Sequence, residues 1–130
     1  MDSSNENLRQ AAQQAAEKAY APYSQFKVGA AMLLQDGRVV TGCNVENVSF
    51  GLSNCAERTA IYRAIADGVE LKQVKALAIY TPTDEIHSPC GACRQVMAEF
   101  FDPEMSGQSF NKTGIKEWTL ATLLPDSFNF

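Results

Sequence analysis

Phe26-Lys27-Val28-Gly29-Ala30-Ala31-Met32-Leu33-Leu34-Gln35 is the stretch on which the architecture turns. In an extended chain Phe26, Val28, Ala30, Met32 and Leu34 fall on one face. The opposite face carries Ala31 and Leu33, so this strand is apolar on both sides. A strand covered on both faces belongs to a sheet flanked by helices rather than to one wetted on one side. Asp36-Gly37 is a hairpin turn signal, and Arg38 to Asn44 forms the return strand.

Upstream, Ser3 and Glu6 resemble a capping box. Leu8, Ala11, Ala12, Ala15, Ala16 and Ala19 then recur at helical spacing, which predicts a helix from about Asn5 to Ala19. Ala21-Pro22-Tyr23-Ser24 ends it. Downstream, a polar loop from Asn44 to Ser53 leads to a helix from about Cys55 to Asp67, capped by Asn54 and stopped at Gly68. Lys75 to Thr81 reads as a short buried strand. Ser88 caps a third helix with Pro89 at its first position, running to about Phe101. Met105 to Phe110 is polar and reads as a poor edge strand or a loop, and Lys116 to Ala121 as the last strand. The expectation is one domain over residues 1–130. Its class is α/β, a three-layer sandwich whose mixed β-sheet of about five strands is covered by helices.

The chain has 130 residues, 45% of them hydrophobic, and a formal charge of -4. No Lys/Arg stripe is present, which argues against nucleic acid as a partner and favours a small, uncharged substrate. No apolar run is long enough for a membrane. Four cysteines with no secretory leader point to a reducing, cytoplasmic setting, where metal ligation or catalysis is the commoner use of thiols.

Chemistry concentrates in Cys55-Ala56-Glu57 and Pro89-Cys90-Gly91-Ala92-Cys93. Cys90 and Cys93, three apart at a helix start, share a face and can grip one ion. Cys55 opens its own helix. Three thiolates holding Zn²⁺ leave a fourth position for water, at a net charge of about -1. Arg58 or Arg94, each adjacent to a ligand or nearly so, can offset that charge. Glu57 in a first turn can point at the open position and move protons. Three other readings compete. The CxxC could be a redox pair. Cys43 could close a structural four-cysteine site, although it more naturally ends a strand as a small buried residue. His87, the only histidine, could ligate, although it falls in a loop outside the spacing.

With Tyr23 to Ala30, Gly42-Cys43-Asn44-Val45-Glu46-Asn47, Cys55 to Ala60 and Pro89 to Gln95, the chain resembles the small, homotetrameric, zinc-dependent cytidine deaminases over about Leu8 to Phe128. Their zinc-deaminase signature exists in a three-cysteine form. The resemblance implies one Zn²⁺ per subunit on Cys55, Cys90 and Cys93, with Glu57 as proton shuttle. Asn44 and Glu46 would hold the ribose at its 3′-hydroxyl, Phe26 would pack on the pyrimidine, and the Ala56 backbone would meet the base edge. Phe50, where the family often has tyrosine, and Phe128 would reach a neighbouring subunit's site. Plain core packing is the competing reading for Phe26, Phe50 and Phe128. Arg58 and Gln95 would bond the ligand sulfurs. The implied reaction is hydrolysis of cytidine and 2′-deoxycytidine to uridine and 2′-deoxyuridine with release of ammonia, a step of pyrimidine salvage. In it, metal-activated water attacks C4 while Glu57 carries protons. The implied partners are a nucleoside substrate and a homotetramer with shared sites. The rivals are a deaminase of another cytosine nucleoside such as blasticidin S, a polynucleotide-editing deaminase, and a non-catalytic zinc module.

Overall fold

The computed structural model describes residues 3–128. A five-stranded sheet runs in the order β2-β1-β3-β4-β5. The strands are β1 (Gly29–Leu34), β2 (Val39–Cys43), β3 (Val74–Tyr80), β4 (Ser106–Phe110) and β5 (Ile115–Thr119). Only the β3–β4 pair is parallel; β1–β2, β1–β3 and β4–β5 are antiparallel. The helices are α1 (Ser3–Ala16), α2 (Ala56–Ala66), α3 (Gly91–Phe100) and a single turn, α4 (Leu120–Leu123).

All six residues of β1 are buried. Ala30, Met32 and Leu34 join Leu77 and Ile79 of β3 in a core beneath α2 and α3, with Ala60, Ile61, Cys93 and Met97. Ala31 and Leu33 face the other way, against Leu8, Ala12 and Ala16 of α1. The mixed sheet is therefore covered on both faces, as the two-sided apolar strand requires. Each large side chain that is fully buried here, such as Leu8, Met32, Leu77 or Ile79, contributes about 1.5–3 kcal/mol. The hairpin turns at Gly37, whose φ of 93° lies in the left-handed region open to glycine.

The boundaries differ from the sequence reading in instructive ways. α1 stops at Ala16, not Ala19: the N–H groups of Glu17, Lys18 and Ala19 bond three residues back and not four, a tightened last turn. β1 begins at Gly29, leaving Phe26 and Val28 in the segment that lines the site. β4 is neither an edge strand nor a loop: it lies between β3 and β5. Its polarity is tolerated because each inward group finds a partner. Gln108 Oε1 accepts from Arg9 Nη1 at 2.8 Å, and Ser109 Oγ accepts from Trp118 Nε1 at 3.0 Å. Phe110 packs on Tyr80 with ring centroids 5.3 Å apart.

Candidate active site

Two helix N-termini meet at one end of this sheet. Cys55 is itself the N-cap of α2, and Cys90 the N-cap of α3, both in extended backbone conformation. Asn54 and Ser88, the expected caps, lie one and two residues further out. A thiol at the cap position projects over the first turn, where free N–H groups and the helix dipole favour a thiolate. Cys93 lies in the first turn of α3 and is fully buried.

The three Sγ atoms all lie within 4.8 Å of one another. Cys55 and Cys90 are 4.0 Å apart and Cys90 and Cys93 3.5 Å. Sulfurs around tetrahedral zinc at about 2.3 Å stand about 3.8 Å apart, so this triangle fits the ion. All four cysteines are free thiols. Cys43 ends β2 half-buried and outside the triangle, so among the described residues no fourth sulfur closes the site, and His87 is not in the cluster either.

Without a metal the thiols divide their protons unequally. Cys55 accepts from Cys93 and from Arg58, which pulls its pKa down to about 5 against the opposing effect of burial. Cys93 donates to Cys55, is desolvated, and faces the Glu57 and Cys55 charges, so its pKa is pushed far up. Arg58 Nη2 donates to Cys55 Sγ at 3.2 Å. Arg94, the other candidate, turns away from the sulfurs: its Nε donates to the Pro89 carbonyl at 2.7 Å and its Nη1 to the Leu123 carbonyl at 3.0 Å. Gln95 does not meet a sulfur here; its Nε2 donates to the Phe128 carbonyl at 3.1 Å. Two residues beyond Cys93 on a helix, its side chain leaves from a different face.

Glu57, in the first turn of α2, is only 5% exposed. Burial raises its pKa, reinforced by the Cys55 charge and opposed by Arg58. Its carboxyl opens on a cavity of about 250 Å³. Cys55, Ala56 and Cys90 form the metal end, and Phe26, Asn44 and Glu46 also line the walls. Asn44 is pinned between strands: its Oδ1 accepts from Val28 N at 2.9 Å and its Nδ2 donates to Phe26 O at 2.7 Å. Glu46 Oε1 accepts from the N–H groups of Tyr23 and Ser24, and the Ser24 hydroxyl donates to Oε2. These bonds, the Ser24 hydroxyl foremost, hold its pKa below the usual carboxylate range. Both residues thus fix the loop that carries Phe26.

Phe50 and Phe128 do not line this cavity. Phe50 is 74% exposed, with its ring 6.1 Å from Tyr23, and Phe128 is 70% exposed. Two wall residues have other readings in the sequence, Thr81 as a strand end and His87 as a possible ligand. Thr81 is buried, and its hydroxyl has no hydrogen-bond partner among the described residues. His87 sets its ring 6.0 Å from Phe26 in an edge contact. Their signals were weak: Thr81 follows the end of β3, and His87 leads into the ligand loop.

Among the described residues, no helix is long and apolar enough to cross a membrane. The cytidine deaminase of Sporosarcina psychrophila is 49% identical to this chain over 125 residues, 95% of this chain and 90% of that one. That of Mycobacterium tuberculosis is 46% identical over 121 residues, 93% and 86% of the two chains. Among solved structures, the cytidine deaminase from Burkholderia pseudomallei superposes with a TM-score of 0.91 at 49% identity, covering 95% of this chain and 98% of that one. The M. tuberculosis enzyme gives 0.80 at 44% identity, covering 96% and 97%. The family model for the cytidine and deoxycytidylate deaminase zinc-binding region matches residues 2–106. That span takes in all three clustered sulfurs, and the open triangle, the buried carboxyl beside it and the layered fold all agree with the match: the chain belongs to the cytidine and deoxycytidylate deaminase family.

Proposed function

We propose that this protein hydrolyses cytidine and 2′-deoxycytidine to uridine and 2′-deoxyuridine, releasing ammonia. The observation that carries this reading is a buried carboxyl, Glu57, sharing one cavity with Cys55 and Cys90 of a three-sulfur cluster that no fourth ligand closes among the described residues. Zinc on Cys55, Cys90 and Cys93, when bound, supplies the Lewis acidity that makes a water nucleophilic near neutral pH.

The remaining steps belong to the chain's own side chains. Glu57 accepts a proton from the attacking water and passes it to N3 of the base, which leaves C4 electron-poor. It then carries the second proton to the amino nitrogen at C4, and ammonia departs. Phe26 packs against the pyrimidine, and the backbone of Ala56 meets its edge. Asn44 and Glu46, already held by the loop, direct their remaining hydrogen-bonding capacity to the ribose 3′-hydroxyl. Arg58 offsets thiolate charge at Cys55.

We place Phe50 and Phe128 in a neighbouring subunit's cavity within a homotetramer. Their exposure supports this, as does that of Val48 and Leu52 beside Phe50. Four free thiols suit the cytoplasm. The test is Glu57→Gln, which keeps the shape and the sulfurs. Zinc content and fold should persist while turnover of cytidine, read as loss of its ultraviolet absorbance, falls about 10²–10⁴-fold. Parental turnover in the Glu57→Gln variant would overturn the assignment.

A further inference from the structure

The first turn of α3 does more than present Cys93. The next two residues both reach the C-terminal segment. Arg94 binds two carbonyls at once, that of Pro89 at 2.7 Å and that of Leu123 at 3.0 Å. Gln95 binds the Phe128 carbonyl at 3.1 Å. Pro89 immediately precedes the ligand Cys90, and Leu123 is the last residue of α4. One guanidinium therefore spans the peptide that sets Cys90 and the turn from which the C-terminal segment departs. The near end of that segment is anchored separately, through Leu120 N to Met105 O and Ala121 N to Pro103 O. Leu123 is tied to α3 through Arg94, and the far end, at Phe128, through Gln95.

The chemistry of arginine suits this bridge. Its donors are fixed in one plane and serve two acceptors in set directions, which a lysine ammonium cannot reproduce. A metal on Cys90 and Cys93 would fix the Pro89 peptide relative to α3, and with it the orientation of the guanidinium. We infer that Arg94 is a positioning residue that couples metal occupancy to the placement of residues 120–128, with Gln95 as a second tie. The coupling is reciprocal: whatever factor the metal contributes to ordering the segment, the ordered segment returns to metal retention.

This deepens the reading of the same site, since it rests on the three cysteines holding zinc. Its test reads metal release and backbone exchange, not turnover, so its failure would leave the proposed reaction standing. The full zinc-loaded chain is challenged with excess chelator, and zinc release is followed with a metallochromic dye. Hydrogen–deuterium exchange of the peptide over 119–128 is measured with and without zinc. In the parent, removing zinc should speed exchange of this peptide about tenfold and leave the β1–β2 hairpin unchanged. Arg94→Ala should release zinc about tenfold faster, the lower range for loss of a group supporting a metal ligand, and should abolish the zinc dependence of exchange in 119–128. Arg94→Lys keeps the charge without the fork and should fall between the two. If the alanine variant does not fold, the lysine variant is read alone, with release at least about threefold faster. Exchange in 119–128 that ignores zinc in the parent overturns the coupling. So does parental zinc release in the folded variants.

Discussion

Replacing Gly42 by alanine tests whether the seating of α2 on the sheet sets the chemistry. A Cβ at Gly42 would stand 2.6 Å from Ala56 O and 2.8 Å from Ala60 Cα, and closer still to Ala60 N. It would wedge against the backbone of the first turns of α2. Ordinary contact begins at 3.4 Å, so the helix must retreat by at least about 0.8 Å, and none of these contacts is a flexible side-chain tip that could yield. Overpacking of this kind costs about 1–3 kcal/mol. The part of the helix that must move carries Cys55, Ala56 and Glu57. A displacement near 1 Å at a reacting group can cost about 10²-fold in rate, so kcat should fall about 10–100-fold beyond any loss of folded protein.

The control is Gly107→Ala. There a Cβ would press on the indole of Trp118, with Cε3 at 2.7 Å and the ring's far edge nearer. Gly107 lies on β4 and lines no part of the site cavity. It should lose a comparable 1–3 kcal/mol while kcat stays within about twofold. Urea denaturation reports the first quantity and cytidine absorbance at saturating substrate the second. If Gly42→Ala is within about 0.5 kcal/mol of the parent with unchanged kcat, the reasoning fails. It also fails if Gly107→Ala lowers kcat as far, because the loss would then reflect general loosening and not the seat of α2.

Zinc affinity should weaken as pH falls. Cys93, whose pKa is raised, keeps its proton in the metal-free protein and must release it on binding, so log affinity should drop by at least about one per pH unit between about pH 8 and about pH 6. Near pH 5, where Cys55 begins to protonate, the slope should steepen; a flat profile in competition titrations would refute this proton distribution. Thr81→Val removes a buried hydroxyl with no partner among the described residues while keeping its shape. Stability in urea should hold or rise by up to about 1 kcal/mol, and a loss larger than that would mean the hydroxyl is already satisfied.

What the sequence disclosed and what it withheld divide along the range of the interactions involved. β1 was legible because its two apolar faces are written in ten consecutive residues. The sulfur triangle was legible because two of its ligands sit three apart and the third stands beside the acid. β4 was not, since its partners are remote: Gln108 is satisfied by Arg9, 99 residues away, and Ser109 by Trp118 on the next strand. Polarity read alone looks like exposure, and only the fold shows that it is paired. The helix starts misled for a chemical reason. Cap preferences favour Asn54 and Ser88 over cysteine, but a thiol occupies each cap because the metal site needs it there. The bond from Gln95 to a carbonyl of the far C-terminal segment was out of reach of local sequence for the same reason as the β4 pairings: its partner is remote.

The electrostatics of the site explain why an acid and three thiols can be packed so closely. Burial and the Cys55 charge raise the Glu57 pKa, and the Cys55 bond and burial raise that of Cys93. Two helix N-termini and Arg58 offset only part of the negative charge that full ionisation would create. A dication held by Cys55, Cys90 and Cys93 would offset the rest, and it would act on Glu57 in the direction opposite to burial. A carboxyl pulled both ways has a small free-energy difference between its two forms, and a group that must accept one proton and return it within a single turnover works best under that condition. The burial that raises the Glu57 pKa is thus the same burial that would suit it to carry protons in the proposed reaction.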